Sequence, residues 1–107
     1  MKPHATLFAA LLATLAGAAP FAAQAQDQQA LYVRSLAATC ANCHGTDGRA
    51  VGGSTMPPLA GMPRDHLLTQ LKAFKGGTRP ATIMHQLTKG YTDAQLEQIA
   101  GYFAAQK

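Results

Sequence analysis

The sequence predicts an all-α domain of about four helices, on three observations. No stretch alternates apolar and polar residues with β-branched side chains, the pattern of a half-buried strand. Apolar residues recur at helical spacing in several separate stretches. Between the first two of these, residues 45–64 carry Gly45, Gly48, Gly52, Gly53, Gly61, Pro57, Pro58 and Pro63, a density of breakers that neither helix nor strand tolerates.

The first 25 residues of the 107 read as a leader rather than as part of the domain. Lys2 and His4 make a short basic start, residues 5–19 are almost continuously apolar, and Ala23-Gln24-Ala25 is an A-x-A cleavage signal, so cleavage is expected after Ala25. The apolar run is shorter than the roughly 20 residues of a spanning helix, and Pro20 closes it. No twin arginine precedes it, so the expected route is the general secretory one, to the periplasm, with no stable membrane anchor after cleavage.

In the domain of residues 26–107, the first helix is expected over 27–39, with Asp27 as N-cap and Leu31, Val33, Leu36, Ala37 and Cys40 on its apolar side. The breaker-rich segment of about twenty residues that follows marks a functional site, since a compact domain seldom carries so long a structureless loop. Residues 65–75 return to helical periodicity through Leu67, Leu68, Leu71 and Phe74, and Gly76-Gly77 ends them. Arg79-Pro80 opens a short turn or helix through Ile83 and Met84 that stops at Gly90. Thr92 and Gln95 make a capping box for the last helix, whose inner face is Leu96, Ile99, Ala100 and Phe103. Tyr102 and Phe103 are expected to pack where this helix crosses the first near Leu36.

Nine Lys and Arg against five Asp and Glu give a formal +4. Loss of Lys2 with the leader lowers this to +3 on 82 residues. So small and scattered an excess, with no aromatic platform between basic residues, excludes a nucleic-acid partner. Lys72, Lys75, Arg79 and Lys89 are expected to form a modest positive rim for an acidic partner. An apolar core alone is marginal at this size.

The only two cysteines, Cys40 and Cys43, would close almost no loop as a disulfide. With His44 they form C-x-x-C-H, the attachment signature of c-type haem. Cysteines at i and i+3 on a helical turn face one way, so both sulfurs reach the vinyl groups along one porphyrin edge. His44 then presents a neutral imidazole to iron. A thioredoxin-like pair expects a preceding strand, which is missing. A structural zinc site needs a second ligand pair, and none follows.

Cys40 to His44, the loop motif Met56-Pro57-Pro58-Leu59-Ala60-Gly61, the Met84 region and the closing Gly101-Tyr102-Phe103 resemble a class I cytochrome c over residues 27–107. Gln70-Leu71-Lys72-Ala73-Phe74-Lys75-Gly76-Gly77, with Ile83-Met84-His85 and Tyr91-Thr92-Asp93, is similar to the cytochrome domains of flavocytochrome c sulfide dehydrogenases. Those domains often occur in tandem, whereas this chain has one. The resemblance implies helices wrapped around one covalent haem c and its iron. It also implies a backbone carbonyl of Pro57 that accepts a hydrogen bond from His44, and Leu59 packed on the haem face. Pro58 merely stiffens the loop.

The sixth iron ligand decides function, because a filled site passes electrons and an open one binds small ligands. Candidates are Met56, Met62, Met84, His66 and His85. Met56 and Met62 lie in the loop that covers the proximal face, and His66 opens a helix. Met84 sits on a short element between Gly77 and Gly90 that suits delivery from the far side, with His85 and bis-His ligation as the alternative. The expected activity is one-electron transfer, without substrate chemistry by the protein itself. Expected partners are redox proteins, a flavoprotein dehydrogenase or a terminal oxidase. A haem subunit of a sulfide dehydrogenase, or a haem enzyme or gas sensor with an open distal site, remain the other readings.

Overall fold

The computed structural model describes residues 19–107. Four α-helices follow in order, α1 (Ala19–His44), α2 (Arg64–Gly76), α3 (Met84–Lys89) and α4 (Asp93–Ala104), with a 3-10 turn at Thr46–Gly48 and no strand among the described residues. Lys2, His4 and the apolar run up to residue 18 lie outside the described residues. Residues 32–107 form one compact unit, and the residues before Tyr32 belong to another. Among the described residues no helix is long and apolar enough to cross a membrane.

α1 exceeds its expected bounds at both ends. Asp27 lies inside it instead of capping it, because the Ala- and Gln-rich residues 21–26 are good helix formers. At the other end the helix runs through Cys43 to His44, and Gly45 stops it at φ 84. Only glycine fits there, since a Cβ would stand 1.8 Å from the carbonyl oxygen of Arg49.

α4 packs on α2, and the core gathers Ala37 of α1, Leu59 of the loop, Leu67 and Leu71 of α2, and Leu96, Ile99, Ala100 and Phe103 of α4. The inner face read from periodicity is the buried face. The capping box is complete, with the Gln95 amide donating to Thr92 Oγ1 at 3.2 Å and the Thr92 amide to Gln95 Oε1 at 2.9 Å. α2 ends on Gly77 in the left-handed conformation, φ 77. The short α3 begins at Met84 rather than near Arg79, and the Thr88 hydroxyl, buried, donates to the Met84 carbonyl at 2.8 Å.

Three members of the expected positive rim, Lys72, Lys75 and Arg79, are engaged locally. Lys72 pairs with Glu97 at 3.6 Å, and Arg79 donates to Gln70 with its guanidinium 4.5 Å from the Phe74 ring centre. Lys75 is a structural tie: its ammonium donates to Asp93 at 2.7 Å and to the Tyr91 carbonyl at 2.8 Å, joining α2 to the entry of α4. Lys75→Ala is expected to cost about 1 kcal/mol, a drop of about 4–8 °C in Tm by thermal unfolding. Lys72→Ala, whose pair is exposed, should fall within about 0.5 kcal/mol of the parent.

Candidate haem-attachment site

The last turn of α1 carries Cys40, Cys43 and His44. At 100° per residue the three side chains leave the helix within an arc of about 100°. Cys40 is partly buried and Cys43 exposed, and no disulfide joins them. Burial pushes the Cys40 thiol above its ordinary range, which disfavours the thiolate that a dithiol redox enzyme needs. Among the described residues no three His, Cys, Asp or Glu side chains gather into a metal cage, so His44 would need a partner ligand of another kind.

His44 is buried, 8% exposed, and its Nδ1 lies 2.8 Å from the carbonyl oxygen of Pro57. A carbonyl only accepts, so Nδ1 carries a proton, and in the neutral imidazole Nε2 then keeps a free lone pair. That is the state a metal-ligating imidazole needs. The loop carrying Pro57 is anchored two residues later: the Leu59 and Ala60 amides donate to the Gly48 carbonyl at 2.8 and 3.1 Å. Leu59 itself is in the buried core.

The five candidates for a second axial ligand separate by position. His66 is exposed in the first turn of α2, and Met56 is exposed in the loop. Met62 is partly buried against the core, with its amide bonded to the Leu59 carbonyl, 3.1 Å. Met84 opens α3 and is partly buried against the same core. His85 beside it has Nδ1 buried with no hydrogen-bond partner. Exposed Val51, Met56, Ile83 and Leu87 lie on the loop and on the α3 segment. A flat apolar macrocycle suits such side chains, and the two cysteine sulfurs with the His44 Nε2 lone pair are donors of the kind that hold haem c.

Sequence periodicity missed one group near the site. Tyr102 lines a small cavity with Arg34, Ala37, Ala38 and Ala41 of α1, and its hydroxyl donates to Asp47 Oδ1 at 2.5 Å, in the 3-10 turn that follows His44. Phe103 beside it is buried, as expected, and packs against Gly48. The hydrogen bond from Tyr102 is the main cause holding the Asp47 carboxyl below its usual range, with Arg34 and Arg49 helping. The same bond holds the Tyr102 phenol above its usual range. The Asp47 contribution is full above the unfolded aspartate pKa of about 4 and fades as pH falls through the lower folded value. The Tyr102 contribution is full below about 10 and fades as pH rises through the higher folded value. Tyr102→Phe should therefore be less stable than the parent by a constant margin between about pH 5 and 9, narrowing at both extremes. Denaturant titrations across pH measure it, and a margin unchanged in strong acid contradicts it.

Comparisons with known proteins identify the family. The family model described as cytochrome c matches residues 29–107. The chain is 41% identical over 68 residues to the cytochrome subunit of sulfide dehydrogenase of Chlorobaculum tepidum, covering 64% of this chain and 60% of that one. It is 33% identical over 72 residues to cytochrome c-554(548) of Halomonas halodenitrificans, covering 64% of this chain and 86% of the other. A solved cytochrome c4 of Acidithiobacillus ferrooxidans superposes with a TM-score of 0.57 at 39% identity, covering 62% of this chain and 37% of that chain. The chain thus spans well under two thirds of the sulfide dehydrogenase subunit and of the solved cytochrome c4. An all-α fold, the attachment signature and the family match lead to one conclusion: the chain belongs to the cytochrome c family, with covalently bound haem c and its iron.

Proposed function

We propose that the chain is an exported, periplasmic one-electron carrier in which Cys40 and Cys43 hold the haem by thioether bonds and His44 and Met84 are the axial ligands. The observation that carries the reading is the buried His44 imidazole with its Nδ1 proton committed to Pro57, which leaves Nε2 for iron. The bound haem supplies a reversible Fe(III)/Fe(II) couple. The protein holds it, orients His44 through Pro57, excludes water with Leu59 and the core, and offers a thioether from α3. A soft thioether favours the ferrous state and raises the potential relative to a second imidazole. The leader of residues 1–25 supports export.

A dedicated subunit of a dehydrogenase is the second reading, favoured by similarity to the sulfide dehydrogenase cytochrome subunit. Under it the electron donor is a flavoprotein, and co-purification of the two chains from native extract would support it over a free carrier. Carbon monoxide offered to the isolated reduced protein tests the carrier reading itself. Binding should be slow and incomplete, and rapid stoichiometric binding would assign an open-site haem enzyme or sensor instead.

A further inference from the structure

We infer that the Tyr102 hydroxyl, acting through Asp47, holds the turn that orients His44, making Tyr102 a positioning residue for the redox centre. The inference rests on the reading of His44 as an axial ligand.

Asp47 has φ 54 and is the only non-glycine residue with positive φ among the described residues. Such a conformation persists where the surroundings hold it, although aspartate tolerates it better than most side chains. What holds it is a charge-assisted bond from the last helix, Tyr102 to Asp47 Oδ1, beside a weaker pair from Arg49 to Asp47 Oδ2 at 3.3 Å. Gly48 follows at φ 76, pressed against Phe103, whose Cδ1 would stand 2.7 Å from any Cβ placed there. Adjacent residues of α4 therefore hold adjacent residues of the turn, one by a hydrogen bond and one by contact.

From the turn the contacts lead back to the imidazole. The Gly48 amide donates to the Gly45 carbonyl at 2.9 Å, next to His44, and the Gly48 carbonyl accepts from Leu59 and Ala60. Pro57, two residues before Leu59, accepts from His44 Nδ1. His44, Gly45, Gly48, Leu59 and Pro57 thus form a closed ring of backbone and hydrogen bonds. Tyr102 braces it from outside. Donation from Nδ1–H to a carbonyl makes the imidazole a stronger electron donor, which favours ferric iron. A looser turn weakens that donation and raises the potential.

The test uses the haem-loaded protein. Tyr102→Phe keeps the ring, which stands edge-on to Phe103 at 5.3 Å, and removes only the hydroxyl. Spectroelectrochemistry at fixed applied potential should show the ferrous-to-ferric ratio rising by about threefold. The His44 Nδ1 proton should exchange faster with solvent by NMR. Asp47→Gly, free of backbone strain but without the acceptor, should give the same upward shift, and Asp47→Asn, which still accepts but without the charge, should shift the potential by less. Lys75→Ala is the control for stability loss alone and should leave the potential in place. An unchanged potential in both Tyr102→Phe and Asp47→Gly, or an equal shift in Lys75→Ala, overturns the inference. If the axial reading itself is wrong, the parent protein already lacks a low-spin, histidine-ligated spectrum, so the two failures are distinct.

Discussion

Cys40→Ala with Cys43→Ala is expected to yield a chain that loses its haem to acid-acetone extraction and has little helix without it. Only eight apolar side chains are buried in the core among the described residues, and large apolar side chains at Val51, Met56, Ile83 and Leu87 are left exposed. A domain of this size, 82 residues after the proposed cleavage of the leader, sits near the threshold where area burial and chain entropy cancel. Binding to the folded state alone adds directly to folding free energy, and a covalent bond makes that contribution permanent. Far-ultraviolet circular dichroism of the double variant should show loss of most helical signal at 25 °C. A well-folded, helical, haem-free domain would show that the apolar core suffices and refute this argument.

Met84→Ala carries the second large effect. The oxidised parent should show the weak sulfur-to-iron charge-transfer band of a thioether ligand, and the variant should lack it. Its potential should fall by a sizeable part of the roughly 0.8 V range that axial ligands span, and the iron should take up exogenous ligands readily. The side chain also packs on the core, so the change should cost about 2 kcal/mol, the low end for a truncation at a site only partly buried. Met84→His should keep the iron six-coordinate at a lower potential, because imidazole favours the ferric state. An unchanged spectrum in Met84→Ala together with an altered one in His85→Ala would make the protein bis-His.

What the sequence disclosed was local. The C-x-x-C-H signature needs five consecutive residues, the Thr92 capping box four, and the face of Leu96, Ile99, Ala100 and Phe103 one helix, so each was legible without a fold. The approach of Pro57 to His44 was available only through the family resemblance, since thirteen positions separate them and no periodicity joins them. Tyr102 on Asp47, Lys75 on Tyr91 and Asp93, and the Tyr91 hydroxyl on Thr39 left no signal of their own. Each joins segments brought together by tertiary packing, and each pair reads in sequence as ordinary polar surface. The early start of α1 was missed for another reason. Asp27 looks like a cap, but helix formers precede it and nothing interrupts them.

The central claim is a covalent haem on Cys40 and Cys43 with His44 and Met84 on the iron, and the absorption spectrum of the purified holoprotein tests it most directly. The reduced protein should show the sharp visible bands of a low-spin, six-coordinate haem, altered only slowly and incompletely by carbon monoxide, and its alkaline pyridine adduct should match haem with two saturated side chains. The oxidised protein should add the sulfur-to-iron band. A pyridine adduct with unsaturated vinyl groups would contradict attachment to the cysteines, and a spectrum that is high-spin, or altered rapidly and completely by carbon monoxide, would contradict the filled axial pair.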